Sequence, residues 1–175
     1  DVPVQIVALA EFVAIARSPV NRDRDGVLKG IPSPEIGTRV AKTLMKLAMG
    51  VAMARQGSRV GPYELRIIKR VGLDSVPPIR SELIRSLWDH GDLFSSGTKI
   101  ATELGMPTGS ATRHLEDLLL LKVAERSGNP QGGYHWRMTN DFREILEQAG
   151  VFCDTSEEDG EGGIPPPPQN PISRK

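Results

Sequence analysis

Cysteine is almost absent from this chain, because Cys153 is the only one among its 175 residues. A single thiol excludes an internal disulfide and a zinc site built from several cysteines. This usage is typical of proteins in a reducing compartment, and we expect a cytoplasmic location. The longest apolar stretch, residues 4–16, is interrupted by Gln5 and Glu11 and is too short to span a bilayer. No basic segment precedes it, so it predicts neither a signal peptide nor a membrane partner.

Motifs that carry catalytic chemistry are also missing. The chain contains no G-x-x-x-x-G-K-[ST] run to hold a nucleotide phosphate and no G-x-S-x-G turn to present a serine nucleophile. His90 and His114 have no partners at metal-ligand spacing, so we interpret both as surface histidines. No cluster of carboxylates or histidines indicates a reaction. The sequence therefore predicts no enzymatic activity, no cofactor and no metal site for this stretch of chain alone.

The net charge of zero conceals a gradient along the chain. Residues 1–77 hold 12 Lys or Arg against 7 Asp or Glu, residues 78–140 hold 7 against 7, and residues 141–175 hold 3 against 8. The basic residues Arg17, Arg22, Arg24, Lys42 and Lys46 therefore have two open interpretations. They form a contact face for a nucleic acid or another partner, or they are simply solvated.

Apolar periodicity predicts three helices in the first part of the chain, over residues 4–17, 35–56 and 62–73. Ser33 is the predicted N-cap of the second helix, and Pro34 suits its first helical position. Between the first two helices, Asp25-Gly26 separates two short runs and predicts a hairpin over residues 20–31. Residues 1–76 are thus expected to form a helical bundle.

The second part begins after Val76-Pro77-Pro78 with a helix predicted over residues 79–89. A short helix over residues 98–104 then meets a Gly105-Met106-Pro107 turn. A second helix follows, with packing positions at Ala111, Leu115, Leu118 and Leu119. Two strands flank a tip over residues 128–133, with Trp136 half-buried on the second strand, and a last helix covers residues 142–149. Residues 151–175 are acidic, then Gly-rich, then Pro-rich, which is typical of a disordered tail.

The order helix, turn, helix, strand, wing, strand over residues 95–137 resembles a winged helix-turn-helix domain. The resemblance implies that the second helix enters the DNA major groove. The DNA-binding residues that it predicts are Thr108, Ser110, Thr112 and Arg113 on that helix, and Arg126 and Gln131 on the wing. The competing interpretation is that Thr108 and Ser110 cap the helix, Arg113 is solvated and the wing is a plain polar hairpin. Winged helices also serve as protein-contact modules.

A second resemblance covers residues 34–74. Thr38-Arg39 near the start of a long helix, the row Ala41, Ala48 and Ala52, and Gly57-Ser58-Arg59-Val60 before a helix with Glu64 resemble the helical lid of AAA+ ATPases of the MoxR and MCM groups. That resemblance implies that Arg39 senses nucleotide phosphates in a parent ATPase. The chain starts without Met inside a predicted helix, which favours the C-terminal part of a longer polypeptide.

The predicted fold is mainly α with a small β-wing. It consists of a lid-like helical domain over residues 1–76, a winged helix domain over residues 77–150 and a tail over residues 151–175. The predicted function is DNA binding in transcription regulation, within a larger AAA+-like ATPase or regulator. The alternative is a protein–protein interaction or dimerisation module without direct DNA binding. Double-stranded DNA, an upstream ATPase domain and another protein are the expected partners.

Overall fold

The computed structural model describes residues 1–24, 29, 30, 32, 36–129 and 133–152, with the side chain of Asn129 excepted. Within these ranges the chain is mainly helical and carries one small antiparallel sheet. The helices are α1 (Val2–Ala16), α2 (Gly37–Ala54), α3 (Pro62–Asp74), α4 (Pro78–Asp89), α5 (Gly97–Glu103), α6 (Thr108–Leu120) and α7 (Asn140–Ala149). The strands are β1 (Ser95–Ser96), β2 (Ala124–Asn129) and β3 (Gly133–Met138). The mainly helical class with a small β component agrees with the prediction.

Helix α1 lies at the centre of the first half and is buried on most of its surface. Helices α2 and α3 both pack on it, and each places a glycine at the contact. A Cβ atom at Gly37 would stand 3.6 Å from Glu11 Cα, which is an ordinary contact, and one at Gly72 would stand 3.2 Å from side-chain atoms of Leu9 and Val13. Gly72 therefore lets α3 lie close to α1.

The chain between α2 and α3 turns back on itself and is closed by Glu64, which is buried. The backbone N–H of Gly61 donates to Glu64 Oε2 at 2.8 Å, and Arg55 Nη1 donates to Glu64 Oε1 at 2.9 Å. The hydrogen bond from the Gly61 backbone, with that from its own backbone N–H and from Arg55, lowers the pKa of Glu64. Glu64 thus fixes the start of α3, as a glutamate at the third helical position does in a capping box.

Three predicted features fall wholly or partly outside the described residues. The tip of the hairpin predicted over residues 20–31 is one of them, although Lys29 N donates to Asn21 O at 2.8 Å where its two ends meet. The predicted cap residues Ser33 and Pro34 are also outside, and α2 begins two residues later than expected, at Gly37. The tail predicted over residues 151–175 is described only at Val151 and Phe152.

The sheet has the order β1-β3-β2, with both pairings antiparallel. Its inner face packs on α4, α5 and α6 through buried side chains, chiefly Leu83, Leu87, Ile100, Leu115, Leu118, Trp136 and Met138. The prediction of a half-buried Trp136 was wrong, because this side chain is only 1% exposed. Its indole lies against the start of α5, where Gly97 leaves room for it because it has no side chain.

The two halves of the chain share one continuous apolar core. Helix α7 packs on α1, with the rings of Phe12 and Phe142 6.0 Å apart. Lys69 Nζ donates to Gly150 O at 2.9 Å, and Arg80 Nη1 donates to Ala16 O at 3.1 Å. These contacts hold residues of both predicted domains together, and the boundary near residue 77 stays a prediction.

Candidate nucleic-acid interface

Helix α6 starts with a turn that leaves its first residues open to solvent. Gly105 ends α5 with a positive φ of 62°, and Met106 N donates back to Ala101 O at 3.0 Å. Pro107 occupies the N-cap position, and no side chain accepts a hydrogen bond from the first turn. The interpretation of Thr108 and Ser110 as capping residues was therefore wrong. Both residues are exposed at a helix start, where the first backbone N–H groups have no partner within the helix.

Three of the four predicted residues of α6 lie on its exposed surface. Thr108, Ser110 and Arg113 are exposed, whereas Ala111 and Leu115 are fully buried and anchor the helix on the core. Thr112 is only half-exposed and turns toward the start of α5, since its Oγ1 would lie 3.5 Å from a Cβ atom at Gly97. Thr112 is therefore at the edge of the surface rather than at its centre.

The residues around Arg113 leave its guanidinium free to bind a ligand. Gly109 stands one turn before it, and a Cβ atom there would meet nothing within 4 Å. Glu116, one turn after it, has its carboxylate directed to Arg22, with Oε2 3.5 Å from Arg22 Nη2. Within the described part of the chain, Arg113 itself forms no ion pair. All five of its N–H donors can face a ligand.

Sequence reasoning missed the role of Arg22. Its side chain forms an ion pair inside the molecule. Its Nη2 and Nε lie 2.7 and 3.0 Å from Asp117 Oδ1, and its side chain is only 12% exposed. The hydrogen bond to Asp117 raises the pKa of Arg22. This pairing neutralises acidic charge on the second half of α6, where it would otherwise repel a phosphate.

The wing hairpin presents a stacked cation. Arg126 is exposed on β2, and its guanidinium carbon stands 4.4 Å from the centre of the Tyr134 ring on β3. The hairpin depends on Gly128, whose φ is 106° and where a Cβ atom would collide with Gly133 O. Gln131, the other predicted wing residue, lies outside the described residues.

Arg137, near the base of the same hairpin, is not part of this surface. It pairs with Glu125, with Nε 2.8 Å from Oε1, and lies over the Phe94 ring at 4.6 Å. It alternates along β3 with Trp136, so it belongs to the opposite face of the sheet. Arg126 is thus the wing arginine that remains available.

Arg39, predicted to sense nucleotide, is remote from the α6 surface in the fold. It is exposed in the first turn of α2, whose main contacts are with α1 and α3. With Arg17, Thr43 and Ser75 it lines a cleft of about 330 Å³. The structure therefore brings Arg39 together with Arg17 and not with Arg113 or Arg126.

His90, interpreted above as a surface residue, is largely buried, with its side chain 14% exposed. Its Nδ1 lies 2.7 Å from Ser86 O at the end of α4, and its Nε2 lies 3.3 Å from Glu103 Oε1. These residues border a wide cleft of about 800 Å³ between α3, α4 and α5. His90 is held in place by α4 and α5, which accounts for its burial without a ligand.

The candidate interface thus consists of the first turns of α6 and the β2–β3 hairpin. In the part of the chain that the structure describes, no helix is long and apolar enough to cross a bilayer. Comparison with models of protein families, with curated proteins and with solved structures finds no match for this chain.

Proposed function

We propose that residues 78–149 form a winged helix-turn-helix module that binds double-stranded DNA. The order α4, β1, α5, α6, β2, β3 and the sheet order β1-β3-β2 support this assignment. They make α5 and α6 the two helices of the motif and the β2–β3 hairpin its wing. In such motifs the second helix lies in the major groove with its N-terminal residues toward the base edges.

The observation that carries the proposal is the uncapped, exposed start of α6. It presents free backbone donors and the side chains of Thr108 and Ser110, and Ser110 shares its outward face with Arg113, three residues later. The positive end of a helix favours a phosphate, and Ser or Thr hydroxyls contact phosphates or bases. An arginine that donates both of its terminal nitrogens to a guanine discriminates against other bases by about 1–3 kcal/mol. We assign Arg113 this role and give Thr108 and Ser110 positioning contacts.

The wing has a separate task in this proposal. Stacking on Tyr134 holds the Arg126 guanidinium in one orientation while its donors stay open to solvent. A fixed guanidinium is suited to a phosphate, because less conformational entropy is lost when it binds. Arg126 would then fix the register of α6 on the duplex without selecting a sequence.

The direct test is a titration of a labelled duplex of roughly three helical turns, about 30 base pairs, with the 175-residue chain. Binding should be micromolar or tighter at about 50 mM salt and should weaken steeply as salt rises. Failure to bind at the low salt concentration would contradict the proposal.

A protein-contact function is the second candidate, and one observation favours it. Leu93 and Phe94, in the loop before β1, are 73% and 40% exposed, within residues 78–140, which have no net charge. Exposed apolar side chains of this size mark contact surfaces when they are contiguous. A dimer that dissociates on Leu93→Ser, together with DNA binding that is indifferent to Arg113→Ala, would support this candidate instead.

The role of Arg39 belongs to the proposal that this module is part of a larger AAA+-like ATPase or regulator. The chain has no phosphate loop of its own, so nucleotide sensing by Arg39 requires a separate ATPase core. The coding sequence upstream of Asp1 tests this directly. A phosphate-loop motif there is the expected result, and its absence from the full gene product would overturn the lid assignment.

A further inference from the structure

Helices α2 and α3 carry a concentrated positive charge that the winged helix assignment leaves unexplained. Residues 36–77 contain 8 Lys or Arg, and their only acids are Glu64 and Asp74. Lys42 and Lys46 on α2 and Arg66 and Arg70 on α3 are all exposed. Among the residues that the structure describes, none of these four cations forms an ion pair, and Glu64 is occupied by Arg55. These four residues are called the α2–α3 surface below.

The four cations lie on the outward faces of α2 and α3. Each stands two positions from a buried residue, at about 200° around a helix of 3.6 residues per turn, so each points away from the core. Because α2 and α3 both bury their inner faces on α1, at Gly37 and Gly72, their outward faces are turned away from α1 together.

The two helices run antiparallel, which puts the two pairs of cations one after the other along the helix axes. Arg55 at the end of α2 reaches Glu64 at the start of α3, while Thr43 near the start of α2 and Ser75 at the end of α3 line one cleft. Along each helix the two cations are four residues apart, about 6 Å. The axes of packed helices are about 8–10 Å apart. The result is one cationic surface along which the pair on α3 follows the pair on α2.

We propose that the α2–α3 surface binds the sugar-phosphate backbone of duplex DNA, as a second contact region beside α6 and the wing. This inference rests on the proposed DNA-binding function. The argument is charge complementarity, because the winged helix segment is neutral over residues 78–140 and supplies little phosphate neutralisation. Most non-specific affinity for DNA comes from Lys and Arg that replace counterions at phosphates. Unpaired, solvent-exposed cations on two adjacent helices are suited to that task.

Phosphate contacts and base contacts have different signatures in a binding experiment. Each phosphate neutralised adds about 0.9 to the slope of log affinity against log salt, whatever the sequence. The α2–α3 surface therefore contributes salt dependence and overall affinity, and it contributes no preference among sequences. Arg113 is expected to contribute the reverse pattern.

The test compares two double variants, Lys42→Gln/Lys46→Gln and Arg66→Gln/Arg70→Gln, with the wild-type chain on a mixed-sequence duplex of about 30 base pairs. Each double variant should lower the salt slope by about 1.8. Between roughly 50 and 200 mM salt, the wild-type chain should then lose about ten-fold more affinity than either variant. The matched control is Arg85→Gln/Lys122→Gln, which removes two exposed cations from α4 and from the end of α6.

Each outcome decides the inference. Unchanged slopes in both double variants, with binding still weakened by Arg113→Ala, would overturn the α2–α3 surface and leave the winged helix function standing. An equal decrease of the salt slope in the control variant would also overturn the inference, since net charge alone would then explain the effect. If the double variants no longer bound polyglutamate but bound DNA like the wild-type chain, the surface would be assigned to an acidic protein instead. A wild-type chain that binds no duplex would overturn both proposals.

Discussion

Arg22 holds the carboxylate of Asp117 across 95 positions of sequence, with Nη2 2.7 Å from Oδ1. The pair attaches the segment that follows α1 to the second half of α6. Both side chains are nearly buried, at 12% and 10% exposed. Because α6 carries the candidate DNA contacts, this ion pair connects the helical bundle to the proposed reading helix.

Replacing Arg22 should destabilise the fold. Arg22→Ala leaves Asp117 with little solvent and without its main partner, and removing one member of a buried pair costs about 3 kcal/mol or more. Urea unfolding followed by tryptophan fluorescence measures the effect. Arg24→Ala, which removes an exposed arginine from the same segment, is the control and should change stability by less than about 0.5 kcal/mol. If Arg22→Ala also lost less than about 0.5 kcal/mol of unfolding free energy, the Arg22–Asp117 pair would contribute little to stability.

Acid should weaken the α2–α3 connection through Glu64. Its pKa is lowered in the folded chain by the backbone N–H of Gly61, with smaller help from Arg55. A group with a lowered folded pKa stabilises the fold above its unfolded value of about 4.5, and the contribution disappears as pH falls through the folded pKa. Unfolding free energies measured from neutral pH down to about pH 3 should therefore drop less steeply in Glu64→Gln than in wild type. Glu82→Gln on the surface of α4 should keep the wild-type profile, and a Glu64→Gln profile identical to wild type would refute the assignment.

The wing should depend on Gly128. Its φ of 106° is one that side chains rarely adopt, and an added Cβ atom would collide with Gly133 O. Gly128→Ala is expected to cost about 1–3 kcal/mol through this strain. Gly109→Ala, in open space on α6, should instead leave stability unchanged or raise it by up to about 1 kcal/mol. Thermal unfolding measures the stability of both variants. An equal change of stability in Gly128→Ala and Gly109→Ala would contradict the described turn.

The two halves of the chain should lose stability together. Phe12 is fully buried on α1, and its ring contacts Phe142 of α7. Both tryptophans, Trp88 and Trp136, lie in the second half of the chain, so their fluorescence reports on that half alone. Phe12→Ala should shift the tryptophan unfolding transition by about 3–5 kcal/mol. A transition unaffected by this change would show that residues 77–150 fold independently of α1.

The helices were predictable from the sequence because their signals are local. The stripe Ala111, Leu115 and Leu118 and the breaks at Gly105 and Gly150 mark boundaries that the structure reproduces closely. The exposure of Arg113 follows from the same periodicity, whereas Thr108 continues the stripe and is exposed at the start of the helix.

The remaining features depend on partners distant in sequence. Arg22 looked like one more surface cation until the fold placed Asp117 beside it. The depth of Trp136 depends on Gly97, and Arg137 is occupied because the strand register sets Glu125 opposite. Periodicity indicates which face of a helix or strand is buried, but it does not name the side chain that will lie against it.

The central claim is that α6 reads DNA with Arg113, and one comparison tests it most directly. Duplexes selected by the wild-type chain from a random pool are titrated with wild type, Arg113→Ala and Lys122→Gln, the last being an exposed cation at the opposite end of α6. Arg113→Ala should bind the selected duplex about ten-fold more weakly, the equivalent of roughly 1.4 kcal/mol, and should discriminate less against unselected DNA. Lys122→Gln should match wild type. Selection that yields no preferred duplex, or an Arg113→Ala variant that retains wild-type affinity and preference, would contradict the account.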